Sequence, residues 1–189
     1  MDVAQLKAAQ DSVVAVLRWA EEDQWSEGTP CPDWDVRALV EHLITGNERF
    51  VVRLAGEQPG PPHDRSGSTT KDLVEAYEQT NGEVLEAFGQ PAAMQRVSQW
   101  PIGPLQGTDA LGLKITETLV HGWDLQQALG TRIDFDEATI AEAHAWSEPM
   151  LARIPEGRNP FGTPQECPPH AAPLDRLAAL LGRPQTAVS

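Results

Sequence analysis

Thr116-Glu117-Thr118-Leu119-Val120-His121-Gly122-Trp123-Asp124-Leu125 sets a carboxylate and an imidazole four residues apart inside an apolar run. On a helix, positions i and i+4 lie one above the other on the same face. Glu117 and His121 therefore point the same way, as two legs of a metal chelate do, and Asp124 lies close to that face. The surrounding Leu111, Leu113, Ile115, Leu119, Val120, Trp123, Leu125 and Leu129 make this helix apolar on most sides. Such a helix sits in the middle of a protein. Polar groups there cost several kcal/mol unless each finds a partner, and a divalent metal is one such partner.

Working outward, Thr108-Asp109 open this helix and Gly130 stops it. Upstream, Asp2 to Asp23 carries Val3, Leu6, Val13, Leu17 and Ala20 at helical spacing. Trp25, Gly28, Pro30 and Pro32 then form a loop. Asp33 reads as the N-cap of a second helix running to Ala55, with an apolar stripe of Leu39, Leu43, Gly46, Phe50 and Leu54. His42 lies on that stripe, and Arg49 and Arg53 continue down the same side. A long loop over residues 56–69 leads to a third helix, Thr70 to Phe88. Residues 91–107 read as irregular, because Trp100-Pro101-Ile102-Gly103-Pro104 cannot continue a helix. Asp134-x-x-Glu137 reads as a capping box for a fifth helix to Arg153. A Pro/Gly-rich tail and a short helix, Leu174 to Leu181, follow. No strand run with alternating period is visible. The pattern predicts an all-α helical bundle over residues 1–154, with residues 155–189 as a tail and short helix packing on the same domain.

The chain has 189 residues, 28 acidic against 14 basic, for a formal charge of −14. That balance repels phosphate backbones and anionic lipid, which argues against nucleic acid and membrane surfaces as partners. Cys31 and Cys167 form neither a disulfide framework nor a Cys-x-x-Cys pair. The first residues lack the basic and apolar regions of a signal peptide, and no apolar run approaches the ~20 residues of a membrane span. The expectation is a cytoplasmic protein, monomeric or homodimeric.

Glu117 and His121 need a third ligand to make a metal site with an open position. Of the five histidines, His63 and His170 sit in Pro-rich loops and His144 on the fifth helix near Trp146. His42 alone combines a helix with an apolar stripe, and it completes a His₂Glu set from two helices. Asp124 reads as the carboxylate that orients His121, or as a replacement for Glu117. Arg49 and Arg53 are candidates for holding an anionic substrate. Trp34 and Trp123 read as core. Cys31 has no activating neighbour visible in sequence, and neither a nucleophile elbow nor a Gly-rich phosphate loop is present. The bland alternative leaves His42 and His121 as ordinary polar core residues.

Thr29-Pro30-Cys31-Pro32-Asp33-Trp34-Asp35-Val36-Arg37-Ala38-Leu39-Val40-Glu41-His42-Leu43 resembles the opening motif of the DinB-like superfamily, in its mycothiol-dependent maleylpyruvate isomerase N-terminal-domain branch. His121-Gly122-Trp123-Asp124-Leu125 resembles the second motif of that branch. Phe161-Gly162, Asp175-Arg176-Leu177 and Leu181-Gly182-Arg183-Pro184 resemble the ending of a subgroup described as metal-binding proteins. The resemblance implies a DinB-like four-helix bundle with additional short helices. It also implies a divalent metal, zinc first and nickel second, on His42, Glu117 and His121. Relatives of this kind use low-molecular-weight thiols such as mycothiol, as isomerases or S-transferases. The isomerase carries a further C-terminal domain where this chain has a Pro-rich tail and one small helix. The expected function is thiol transfer or isomerisation on an electrophilic small molecule. A non-catalytic structural metal module and a metal-dependent hydrolase are the rivals.

Overall fold

The computed structural model describes residues 1–155, 158–168 and 170–184, so parts of the expected tail lie outside the described residues. The element order is α1 (Val3–Leu17), a 3₁₀ turn (Glu22–Ser26), α2 (Val36–Leu54), α3 (Thr70–Gly89), β1 (Val97–Trp100), β2 (Gly103–Gln106), α4 (Gly107–Leu129), α5 (Glu137–Leu151) and α6 (Pro173–Leu180).

The fold is an all-α bundle built on the central helix. Helix α4 buries residues on every side, including Ile115, Leu119, Val120, Trp123 and Leu125. It takes α1 and α2 on one part of its circumference and α5 and α6 on another, while α3 closes the four-helix core against α1 and α2. The inner stripes supply the packing: Leu6, Val13 and Leu17 from α1, Leu39 and Leu43 from α2, Tyr77 and Val84 from α3. Fully burying each aliphatic side chain contributes about 1.5–3 kcal/mol relative to exposure. Among the described residues, no helix is long and apolar enough to cross a membrane.

Local chemistry shifts several expected boundaries. The first helix ends at Leu17, not Asp23, and Trp19 is left exposed. The chain then winds into the 3₁₀ turn because Trp25 must reach the core, where it is buried next to α2. The N-cap of α2 is Asp35, whose carboxylate accepts from the Ala38 amide at 2.7 Å. Asp33 instead falls in a turn closed by Trp34 N donating to Cys31 O at 2.9 Å. That turn carries Trp34 toward the site described below.

The N-cap of α5 is Asp136, not Asp134. Phe135 precedes that cap, outside the helix, and buries its ring on α4 at Gly122. A Cβ on Gly122 would fall 2.4 Å from that ring, so only glycine admits it.

The segment over 91–107 is not irregular throughout. β1 and β2 form an antiparallel hairpin with Val97 opposite Gln106 and Trp100 opposite Gly103. Its inward positions on β1 are Ser98 and Trp100, and only the second is hydrophobic. Four-residue strands with one apolar anchor give too short an alternation to be read from sequence. The hairpin's role is to hold Trp100 and Ile102 over the α2 face.

Behind α5, the tail folds back on the bundle. Gln165 N donates to Ala179 O at 2.9 Å, tying the tail to α6. Gly162 and Gly182 cross so closely that a Cβ on Gly182 would lie 2.4 Å from Gly162 Cα. Gly182 also has φ +85°, in the left-handed region. Phe161 and Arg183, each one residue from this crossing, are thereby directed to the same cavity.

Candidate metal centre

Three donors from two helices converge at the junction of α2 and α4. One ligand atom each from His42, Glu117 and His121 lies within 4.8 Å of the other two. His42 Nε2 is 3.7 Å from Glu117 Oε1, and the two imidazole rings sit edge to face with centroids 5.0 Å apart. A separation of 3.7 Å is too long for a good hydrogen bond. It is close to the ~3.4 Å between ligands that each reach 2.0–2.2 Å to one tetrahedral ion. The donor set is a hard carboxylate and two borderline nitrogens, which suits a divalent ion such as zinc. The residues therefore fit the group that the sequence pattern implies.

The carboxylate is prepared by a residue that the sequence reading passed over. Lys114 is fully buried, and its Nζ lies 2.9 Å from Glu117 Oε2. Burial alone would raise the Glu117 pKa; the Lys114 ammonium and then His42 overcome this and hold it far below the usual carboxylate range. Glu117 is an anion with one oxygen committed to Lys114 and the other facing His42. The signal for Lys114 was its position three residues before Glu117 on a helix otherwise apolar. Gly46 packs beside this carboxylate: a Cβ there would lie 3.7 Å and 3.8 Å from its two oxygens, in ordinary van der Waals contact.

His121 is oriented from behind. Its Nδ1 lies 3.0 Å from Asp124 Oδ2, so the ring donates there and keeps Nε2 as its acceptor. Burial pushes the His121 imidazole below the usual histidine range, against the opposing pull of Asp124. The neutral ring that results is the ligand form. Asp124, itself fully buried, is held in turn by Arg183: Nε reaches Oδ1 at 3.0 Å and Nη2 reaches Oδ2 at 2.8 Å. Burial would raise the Asp124 pKa, but the hydrogen bonds from His121 and Arg183 bring it below its ordinary value. Nothing near Arg183 in sequence announces this partner, which comes from 59 residues away.

Cys31 also reaches this carboxylate, its Sγ donating to Asp124 Oδ2 at 3.4 Å. Cys31, His121 and Asp124 form a second set of donors within 4.8 Å. Asp124 there is already saturated by a guanidinium, an imidazole N–H and a thiol, so the first set is the better site. Burial, then the Asp124 charge, pushes the Cys31 thiol up to about 12, which leaves it protonated.

A cavity of about 260 Å³ opens onto His42, Glu117 and His121. Trp34, Phe50, Trp100, Ile102 and Phe161 form its apolar walls, and Arg49, Arg53 and Arg183 supply its cationic groups. Trp34, expected as core, is partly buried against it and also lines the cavity, its ring centroid 4.3 Å from that of His42. The other histidines stand apart from the three-donor cluster: His63 pairs with Glu48 at 3.0 Å and is exposed, His144 lies 3.9 Å from Glu148, and His170 is exposed.

A helical bundle that focuses two imidazoles and a carboxylate on one cavity is a metal-binding bundle of the DinB-like class. The chain belongs to the mycothiol maleylpyruvate isomerase N-terminal domain family, which it matches over residues 6–126. That span includes His42, Glu117, His121 and Asp124 and stops well before Arg183. An uncharacterized protein of Mycobacterium tuberculosis is 34% identical over 178 residues, covering 93% of each chain. A second uncharacterized protein of that organism is 22% identical over 145 residues, covering 68% of this chain and 56% of its own. Among solved structures, a histidine mutant of the mycothiol-dependent maleylpyruvate isomerase superposes with a TM-score of 0.57 at 12% identity. The alignment covers 74% of this chain and 65% of the isomerase, and at that identity it bears on the fold.

Proposed function

We propose that this protein is a metal-dependent transferase or isomerase that uses a low-molecular-weight thiol, of the mycothiol type, against an electrophilic small molecule. The observation that carries the reading is the convergence of His42, Glu117 and His121 at the floor of a cavity, rather than inside a closed shell. Three protein ligands and an approachable position are the pattern of reactive sites, whereas closed four-ligand shells are the structural pattern. A divalent ion held there supplies Lewis acidity, which lowers the pKa of a thiol so that its thiolate exists at neutral pH.

The chain's own residues do the remaining work. Asp124 and Arg183 fix the His121 ring and its tautomer. Lys114 holds Glu117 with a single oxygen toward the cavity. The apolar walls exclude water around the reacting sulfur, and Cys31, kept protonated, does not compete as a nucleophile. Membership of a family named for a mycothiol-dependent enzyme supports a thiol of that type as the partner.

The test is metal analysis of protein purified without chelators, followed by a conjugation assay with mycothiol and 1-chloro-2,4-dinitrobenzene as the probe electrophile. The expected result is about one zinc or nickel per chain, lost in His42→Ala, and a conjugation rate that falls with the metal. Full metal content with no thiol-dependent rate toward any electrophile tried would leave the structural module as the better reading. Hydrolysis without added thiol would instead favour the hydrolase.

A further inference from the structure

Among the cationic groups of the cavity, two have no role in the metal cluster. Arg49 and Arg53 stand four residues apart on α2, so they share a face, and both line the cavity. Neither has an ion-pair partner among the described residues. In a chain with twice as many acids as bases, that is a notable gap. Arg18, Arg37 and Arg65 each find a carboxylate, in Glu78, Glu41 and Glu48. Solvent accounts for Arg49, which is exposed. It does not account for Arg53, whose Nε is buried without a hydrogen-bond partner and whose guanidinium lies 5.4 Å over the Trp100 ring. Two like charges set together and partly desolvated call for an anion.

The geometry also bounds what the anion belongs to. At 1.5 Å per residue, Arg49 lies about 10 Å and Arg53 about 16 Å along α2 from His42. Helical side chains lean toward the N-terminus, which brings both guanidiniums back toward His42. Between the two ends the walls are apolar and aromatic. A cavity of about 260 Å³ is at the small end for ligand sites.

We propose that Arg49 and Arg53, backed by Trp100, form an anion subsite, and that the electrophile is a small carboxylate with a flat apolar body. The carboxylate pairs with the guanidinium fork, and the body lies between Phe50, Ile102 and Phe161. The opposite end of the molecule then faces His42, Glu117 and His121. The subsite stands on its own geometry; only its assignment to the electrophile rests on the thiol-transfer reading.

The probe is benzoate, with benzamide as its neutral isostere and inorganic phosphate as a compact anion. Binding is measured by calorimetry on the full chain, both metal-loaded and after chelation. Benzoate is expected to bind in both states and benzamide at least tenfold more weakly. Arg53→Gln is expected to weaken benzoate by about 10- to 100-fold, the range for hydrogen bonds to charged groups. Arg53→Lys, which keeps the charge but loses the fork, should fall between, with melting temperatures unchanged in both variants. Equal binding of benzamide, undiminished benzoate binding by Arg53→Gln, or no benzoate binding at all would each overturn the proposal. So would preference for phosphate, because it would make the apolar body irrelevant. Loss of metal binding in the wild-type chain with Arg53-dependent benzoate binding intact would sink the thiol-transfer reading and leave the subsite standing.

Discussion

Arg183 Nη2 lies 2.8 Å from Asp124 Oδ2, joining the segment after α6 to the carboxylate that orients His121. The donor set of the metal centre lies inside the family domain, but the support of one of its imidazoles comes from outside it. Removing such supporting groups commonly costs 10- to 100-fold in metal affinity. Arg183→Met and Asp124→Ala should each weaken zinc by about that factor, measured by competition with a chromogenic chelator. The double variant should add little, because the two act through the same ring. Additive losses would mean that Arg183 acts on the site by some other route.

Lys114 offers a sharper test, because a buried cation has few alternatives. Its Nζ meets Glu117 at 2.9 Å and lies 5.2 Å over the Phe50 ring. Breaking a buried ion pair from one side costs about 3–5 kcal/mol, since the partner charge is left uncompensated. Glu117 keeps some solvent contact, which puts Lys114→Met near the lower figure, about 3 kcal/mol. A dication beside Glu117 replaces the lost charge, so added zinc should raise the melting temperature of Lys114→Met more than that of the wild type. Urea denaturation with and without zinc measures both. A loss below about 0.5 kcal/mol in the metal-free chain, the scale of an exposed pair, would show that the pair is solvated.

The bundle and the convergence of His42, Glu117 and His121 were legible in sequence for the same reason. Both depend on i, i+3, i+4 spacing, which a helix converts directly into a shared face. Glu117 and His121 needed no tertiary information to be placed together, and His42 needed only its apolar stripe. Lys114 was visible three residues before Glu117, but it was passed over because a lysine on a helix is usually solvated. Arg183 was beyond reach: its pairing with Asp124 depends on how the tail packs, not on any local period. The hairpin was missed because four-residue strands carry too little alternation, and Asp134 was preferred to Asp136 because the burial of Phe135 is a tertiary fact. Local rules placed the three donors together, while long-range packing chose what holds them.

Gly182 tests whether the tail crossing serves the metal centre. A residue other than glycine at φ +85° costs roughly 1–3 kcal/mol in backbone strain. Here the added Cβ would also press on Gly162 Cα at 2.4 Å. Gly182→Ala should therefore lower stability and release Arg183 from Asp124, reproducing the loss of zinc affinity of Arg183→Met. Gly130→Ala is the control. It also sits at positive φ, +61°, but a Cβ there meets nothing within 4 Å. It should cost stability alone. Equal effects of the two variants on zinc affinity would separate the crossing from the site.

Cys31 gives a prediction in pH. Burial and the neighbouring Asp124 push its thiol up to about 12. At pH 8 the thiolate fraction is then about 10⁻⁴, so alkylation by iodoacetamide should be slow. The sign is set by the raised value: the rate should climb about tenfold per pH unit through pH 10, without the plateau near pH 9 of an ordinary thiol. Cys167, whose pKa is also raised by burial and by Asp175, lies in the tail away from the Asp124 contact and should be modified first. Mass spectrometry of partially alkylated protein reads both rates. Under the proposed thiol-transfer reading the attacking sulfur comes from outside the chain, so Cys31→Ser should keep thiol-dependent conjugation. Abolished conjugation in Cys31→Ser, with zinc content and melting temperature intact, would instead place the nucleophile on the protein itself.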